Sequence, residues 1–347
     1  MIDMQSSRRT EIDVAKGFTL FLVVFGHLLP LNTTLFRWIF SFHMPAFFFL
    51  SGMTFRPEKY NGVRDYVQDK ARKLLIPYAV ITLIGLAICL IRPAYRAEAF
   101  QPDYTLYYHL KWILYYGQPM QLYIGQVWFL LALFWAELFS LLWIRVFGQR
   151  SVLAKCYSLL ILAVAAVHIR SLFPYLPIGE RLPWKLDTAL GATVFVIAGY
   201  YTRRYEVLER LKPYALFLIP VSIWCSYYLG PEMYTYINVC DCFYTAAPYF
   251  YPGAFFGILA LTLTARLMRG WRFWQYCGRY SMLMFAAHTF VTYWLAEAYT
   301  AFTGTVLKPM ELMPGDKFCL VFAAAVFAAL CVMVLPWHVY KKQRALS

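Results

Sequence analysis

Charge is what this sequence has least of. Only 14% of its 347 residues are Asp, Glu, Lys or Arg, against roughly 25% in soluble domains, which is too few to cover a globular surface in water. Acids are scarcer than bases, 18 against 32. The chain also lacks a glycine-rich phosphate loop, an internal repeat, a low-complexity tract and any long polar block that would mark a soluble appendage. Its eight cysteines show no metal-ligand spacing and mostly sit inside apolar segments, as small hydrophobes do, so no metal is expected. Cys240 and Cys242 are the exception, and a bridge across one intervening residue would be strained. Neither Ser41 nor Ser51 sits in a Gly-x-Ser-x-Gly elbow, which removes the usual hydrolase nucleophile.

What the chain has instead is apolar surface: 61% hydrophobic residues, 20% aromatics and a mean hydropathy of +0.53. A membrane span needs about 20 apolar residues. On that criterion spans fall at 14–31, 36–55, 74–92, 122–144, 156–169, 186–202, 213–230, 248–265, 281–301 and 318–337. The expected architecture is an all-α integral membrane protein, a bundle of about ten transmembrane helices forming a single domain over residues 1–347. The fifth run is short, and the eighth opens in TAAPYFYPG, where a broken or interfacial helix is the alternative. Arg8 and Arg9 precede the first run as in a signal peptide. Glu11, Asp13 and Lys16 interrupt its start and no small-residue cleavage site follows, so a retained first span is expected.

The net charge of +14 would suit a nucleic-acid binder in a soluble protein. Here the bases cluster between apolar runs, as a topology signal does, and no nucleic-acid partner is expected. Most of them fall on alternate connections, such as the one holding Arg56, Lys59, Arg64, Lys70, Arg72 and Lys73 and the one holding Arg266, Arg269, Arg272 and Arg279. That bias places both termini in the cytoplasm.

Asp13, Lys16, His27 and His43 lie in the first two runs, where an inert anchor has only aliphatics. Ionisable groups at membrane depth are costly and mark functional sites by default. Lys16 and His27 are 11 residues apart, roughly 16 Å and three turns along one helix face. Asp13, one turn before Lys16, is placed to pair with it. Glu137 lies mid-run and needs either a partner or a proton. The segment 93–121 is rich in Tyr and Trp, including Tyr95, Tyr104, Trp112 and Tyr116; an interfacial belt and a sugar-stacking platform both fit.

Read in order, IDVAKGFTLFLVVFGH, FSFHMPAFFFLSG, DKARKLLIPY, GQVWFLLALF and GRYSMLMFAAH resemble acyltransferase family 3, the multi-span membrane O-acyltransferases of cell-envelope glycans. The resemblance covers about 9–295, and SFHMP with FFFLSG resembles the fucose 4-O-acetylase-related branch. The family's basic-x10-His signature falls on Lys16 and His27. Its R-x-x-R pair falls on Lys70 and Lys73, where lysine offers a point charge and no bidentate fork.

The resemblance implies a multi-pass protein of the bacterial inner membrane, with acetyl-CoA as acyl donor and a carbohydrate hydroxyl as acceptor. Lys16, Lys70, Arg72 and Lys73 would hold the donor's phosphates, the loop cations having topology alone as their other reading. Trp128 would line the acyl passage, with plain packing as its other reading. His27 would be the general base, since imidazole titrates near neutral pH. His43 would orient the acceptor or His27, and His288 would bind or polarise the acyl carbonyl. A covalent acetyl-histidine and a succinyl donor remain open. A transporter with a histidine proton relay is the competing class, and an acyl-CoA sensor the third. No duplicated half with matching Gly/Pro-broken spans favours the transporter.

Overall fold

The computed structural model describes residues 10–31, 33–92, 105–119, 124–175, 181–232, 237–244 and 247–344. Arg8, Arg9, Tyr95 and Tyr104 lie outside them, as do the first residues of the run expected at 122–144 and the first two of TAAPYFYPG. Helices dominate the described residues, with one small antiparallel hairpin, β1 (Ile237–Asn238) and β2 (Phe243–Tyr244). Six helical segments are long and apolar enough to cross a membrane: Val63–Ile91, Gly125–Phe147, Val152–Tyr175, Val207–Gly230, Pro248–Leu267 and Asp316–Tyr340. Each covers one of the expected runs. Helices also occupy the other four positions: α1 (Thr10–Gly26), α2 (Thr34–Thr54), Leu186–Arg204 and Ser281–Thr303. Of these, α1 has only 17 residues and carries Glu11 and Asp13 in its first turn, and α2 contains Pro45. The composition and these helices make the chain a multi-pass membrane protein.

The chain divides into two compact units, one of Met1–Leu50, Arg203–Pro231 and Pro252–Ser347, the other of Ser51–Thr202 and Glu232–Tyr251. The remaining helices are α3 (Val63–Lys70), α4 (Ile76–Ile91), α5 (Leu106–Lys111), α6 (Trp128–Phe147), α7 (Val152–Leu172), α8 (Leu186–Arg204), α9 (Val207–Leu211), α10 (Ala215–Tyr227), α11 (Ala247–Leu267), α12 (Arg272–Arg279), α13 (Ser281–Thr303) and α14 (Asp316–Arg344). Pro252 sits within α11, so TAAPYFYPG leads into a continuous helix rather than a broken one.

In the first unit α1 packs against α12, α13 and α14. The crossing with α12 is close because glycines meet there. A methyl on Gly17 would lie 2.6 Å from the Trp274 carbonyl oxygen and 3.3 Å from Cys277 Cβ. Larger residues would force the two backbones apart. Aromatics fill in around the crossing, with Phe18 4.4 Å from Trp274 and Phe21 5.4 Å from Phe327 between ring centroids. At the end of α11 the buried Arg266 pairs with Glu11 at 3.7 Å and with Glu209.

In the second unit α3 runs into α4 through a widened π turn, Ala71–Leu75, closed by the Ile76 amide donating to the Ala71 carbonyl. Turns of this kind are frequent at functional sites. The run expected at 156–169 is longer in the structure. Ser151 caps α7 by accepting from the Ala154 amide at 3.2 Å, and Lys155 and Arg170 belong to the helix although they fall outside the apolar run. A polar knot ties the hairpin to the start of α8. Arg181 donates to Asp187 at 3.1 Å, to Asp241 at 2.5 Å and to the Cys240 carbonyl at 2.5 Å. Lys185 donates to Gln118, and its Nζ lies 3.3 Å from Cys240 Sγ. Cys240 and Cys242 are free, and burial pushes both thiols up to about 12, which keeps them protonated and unreactive near neutral pH.

Candidate active site

Three of the chain's histidines converge in the first unit. The His27 ring centroid lies 5.2 Å from that of His288 and 6.4 Å from that of His43, both nearly edge-on. They come from α13, from α2 and from the turn that ends α1. His27 still continues the α1 hydrogen-bond ladder, its amide donating to the Val23 carbonyl at 3.0 Å. Lys16 and His27 therefore share one helical face, roughly 16 Å apart along the axis. Gly17 and Gly278 mark the crossing of α1 with α12, and ten residues beyond each of them the chain reaches His27 and His288. His43 and His288 are buried at 2% and 1% exposure, whereas His27 is half-buried and is the most accessible of the three.

Every one of these rings is held the same way. His27 Nδ1 lies 2.8 Å from the Val23 carbonyl oxygen, His43 Nδ1 2.8 Å from that of Ile39, and His288 Nδ1 2.6 Å from that of Phe285. A carbonyl oxygen can only accept, so each Nδ1 carries the hydrogen and donates it. In a neutral ring that leaves Nε2 with its lone pair, as an acceptor or a base. The anchoring fixes both the tautomer and the ring plane, which a general base requires.

The same fact bears on the carbonyl-polarising role expected of His288. A neutral imidazole whose hydrogen is already given to Phe285 has nothing to donate to an acyl oxygen; His288 in this state can only accept. Thr292, one turn further along α13, can donate. It is buried at 3% exposure, and among the described residues its hydroxyl has no hydrogen-bond partner. Other helical threonines of this chain, Thr19, Thr193, Thr262, Thr264 and Thr300, donate to the carbonyl four residues back; Thr292 does not. Residues four apart share a helix face, so Thr292 stands beside His288. Sequence reading missed it because a threonine in an apolar helix carries no signal until its neighbours are known. Apolar rings wall the cluster: Phe40 lies 5.4 Å from His27 and 4.7 Å from His43, and Phe285 lies 5.5 Å from His288.

The remaining expected residues lie in the second unit, apart from Lys16, which is half-buried on α1. Lys70 forms an ion pair with Glu137, whose other oxygen accepts from Ser51 Oγ at 2.5 Å. This settles the partner that the mid-helix glutamate needs. Lys73 pairs with Asp69 at 2.7 Å, and Asp69 also takes Lys59 at 3.1 Å and the Tyr60 hydroxyl at 2.7 Å. Two of the three loop cations expected to hold phosphate thus already have carboxylates. Arg72 is exposed and has no ion-pair partner among the described residues. Trp128 is buried, with the Lys185 ammonium 5.9 Å from its ring centroid. Among the described residues no group of His, Cys, Asp and Glu could hold a metal ion.

The chemistry available in the first unit is proton transfer at a fixed nitrogen, among apolar rings, beside a buried hydroxyl donor. Comparison with known proteins places the chain. No curated protein and no solved structure gives a match. Residues 9–338 match the profile of acyltransferase family 3, described as an acyltransferase domain, and that stretch holds all three imidazoles, Lys16, the Lys70–Lys73 segment and Trp128. This protein belongs to acyltransferase family 3 and is a membrane acyltransferase.

Proposed function

We propose that the protein is an O-acetyltransferase that moves an acetyl group from cytoplasmic acetyl-CoA to a hydroxyl of a cell-envelope glycan or lipid-linked sugar. It sits in the bacterial inner membrane with about ten spans and both termini cytoplasmic, and it belongs to the fucose 4-O-acetylase-related branch. One observation carries the reading: three buried or half-buried imidazoles meet with every Nδ1 tied to its own helix, which leaves each Nε2 without a backbone partner, that of His288 lying 3.5 Å from the Thr289 hydroxyl.

In the proposed reaction His27 Nε2 takes the proton of the acceptor hydroxyl as its oxygen attacks the thioester carbonyl. The Thr292 hydroxyl donates to the carbonyl oxygen as negative charge builds there, the role that preorganised donors play in acyl transfer. The tetrahedral intermediate collapses with cleavage of the C–S bond. The imidazolium returns its proton to the departing thiolate, leaving an O-acetyl ester and coenzyme A. His43 and His288 accept hydrogen bonds from the acceptor and keep its hydroxyl oriented. Lys16, at the opposite end of α1, attracts the anionic end of the donor. Lys70 and Lys73, held by Glu137 and Asp69, are structural charges in this reading.

The test uses the purified full-length protein with acetyl-CoA labelled in the acetyl group and a glycan fraction from the cell envelope. Label should appear in the glycan as an alkali-labile ester, with free coenzyme A released in equal amount. Label left wholly on the donor, with neither transfer nor slow hydrolysis, would remove the reading and favour transport.

A further inference from the structure

A second site stands in the same unit, on the outward face of α12. Arg272, Gln275, Tyr276 and Arg279 follow the i, i+3, i+4, i+7 spacing of one helix face, and together with His338 of α14 they line a cavity of about 460 Å³. That size falls in the range of small-molecule sites, roughly 300–1,000 Å³. The opposite face of α12 is occupied, with Cys277 and Gly278 buried against α1. Arg272 and Arg279 are exposed, and neither has an ion-pair partner among the described residues. No carboxylate lines the cavity. His338 is braced by the Tyr280 hydroxyl, 3.0 Å from its Nδ1, and Gln275 by a 2.6 Å hydrogen bond from its Nε2 to the Arg269 carbonyl. The walls are thus preset and their charge is uncompensated.

We propose that this cavity binds the phosphorylated nucleotide end of the acyl donor, with one arginine on its pyrophosphate and the other on its separate ribose phosphate. The inference rests on the donor being a coenzyme A thioester, as proposed above, and it names where that donor's head sits. Arginine is the side chain suited to phosphate, because its planar fork bonds two oxygens at once. Seven residues separate the two, so they stand about 10 Å apart along α12, which suits a ligand with two distinct phosphate groups better than one carrying a single phosphate. Tyr276 offers a ring and Gln275 an amide to the base between them. The cavity and the reacting imidazole belong to the same unit, and α12 packs on the Lys16–Gly17 turn of α1, the helix that His27 ends.

The experiment measures coenzyme A binding by calorimetry, using the full-length protein in lipid-free detergent. Wild type should bind with an affinity that falls as salt rises. Arg272→Gln and Arg279→Gln should each weaken binding about tenfold, the scale of a hydrogen bond to a charged group. The double Arg→Lys variant keeps the charge without the fork, so its loss should be smaller than that of the double Arg→Gln variant; equal losses would overturn the proposal. So would Arg→Gln variants that bind coenzyme A like wild type while wild-type binding is intact, and the acetyltransferase reading would then survive. Loss of phosphatidylglycerol binding with unchanged coenzyme A affinity would reassign the cavity to a lipid headgroup. A wild type that binds no coenzyme A would overturn both this assignment and the donor proposed above.

Discussion

Three cations of the second unit are held differently from two of the first, although Arg266 of the first is paired with Glu11 and Glu209 and Arg72 of the second is unpaired among the described residues. In the second, Lys70 is neutralised by Glu137, Lys73 by Asp69, and Arg181 by Asp187 and Asp241. In the first, Arg272 and Arg279 face an open cavity without acids, and three imidazoles face one another with their basic nitrogens unclaimed by the backbone. The difference teaches how to separate charges that hold a membrane fold together from charges that await a ligand. A buried ion pair is satisfied within the protein, and removing one partner leaves the other stranded. A buried hydroxyl without a partner is held ready at a folding cost that a ligand can offset, and an exposed unpaired cation only exchanges water for the ligand.

The sharpest way to break this contrast is at Lys70. Lys70→Ala strands Glu137, which has a 3% exposed side chain, and should lower stability by about 3–5 kcal/mol. That loss would be seen as an early melting transition in detergent. Replacing both partners, Lys70→Met with Glu137→Leu, should recover most of it. If Lys70→Ala instead melts like wild type while losing donor affinity, Lys70 belongs with the ligand-seeking charges and the contrast between the units fails.

Thr292→Val sharpens the other side. Exchanging an unpartnered buried hydroxyl for an isosteric methyl should leave melting unchanged or slightly higher. Transfer should nevertheless drop about tenfold, equivalent to about 1.4 kcal/mol, and the loss should fall on kcat rather than KM because the bond strengthens in the transition state. Thr292→Ser should keep most of the activity. A Thr292→Val enzyme with wild-type kcat would reduce this residue to packing.

The smallest effect belongs to a purely structural bond in the second unit. The fully buried Tyr66 hydroxyl donates to the Phe134 carbonyl at 2.5 Å. Tyr66→Phe should lower stability by about 1 kcal/mol, with kcat unchanged. A kcat loss without a melting shift would mean that the second unit takes part in the chemistry through this helix pair.

Much of this arrangement was legible in the residues themselves. Apolar runs located the helices, because a membrane span must be both long and uniformly apolar. The Lys16–His27 spacing placed those two residues on one helix face, because helical periodicity makes residues three turns apart share a face. Other features had no local signature. β1 and β2 have two residues each, too few for any alternation to register. α7 outruns its apolar stretch because a serine cap and terminal basic residues extend a helix without adding hydropathy. Glu137 needs a partner on physical grounds, but that Lys70 supplies it is a long-range fact. The i, i+3, i+4, i+7 pattern of α12 was in plain view, yet its arginines read equally well as a topology signal until the cavity beside them was known. The convergence of His288 on His27 likewise depends on how α1, α12 and α13 pack.

The central claim is that the accessible imidazole of the first unit performs the proton transfer. Its direct test is acyl transfer by His27→Ala and His27→Gln, purified, reconstituted in lipid and matched to wild type by melting temperature. Transfer should fall at least 10²-fold, the lower bound for losing a general base, with coenzyme A affinity retained. Transfer within a few fold of wild type in a folded variant would contradict the account.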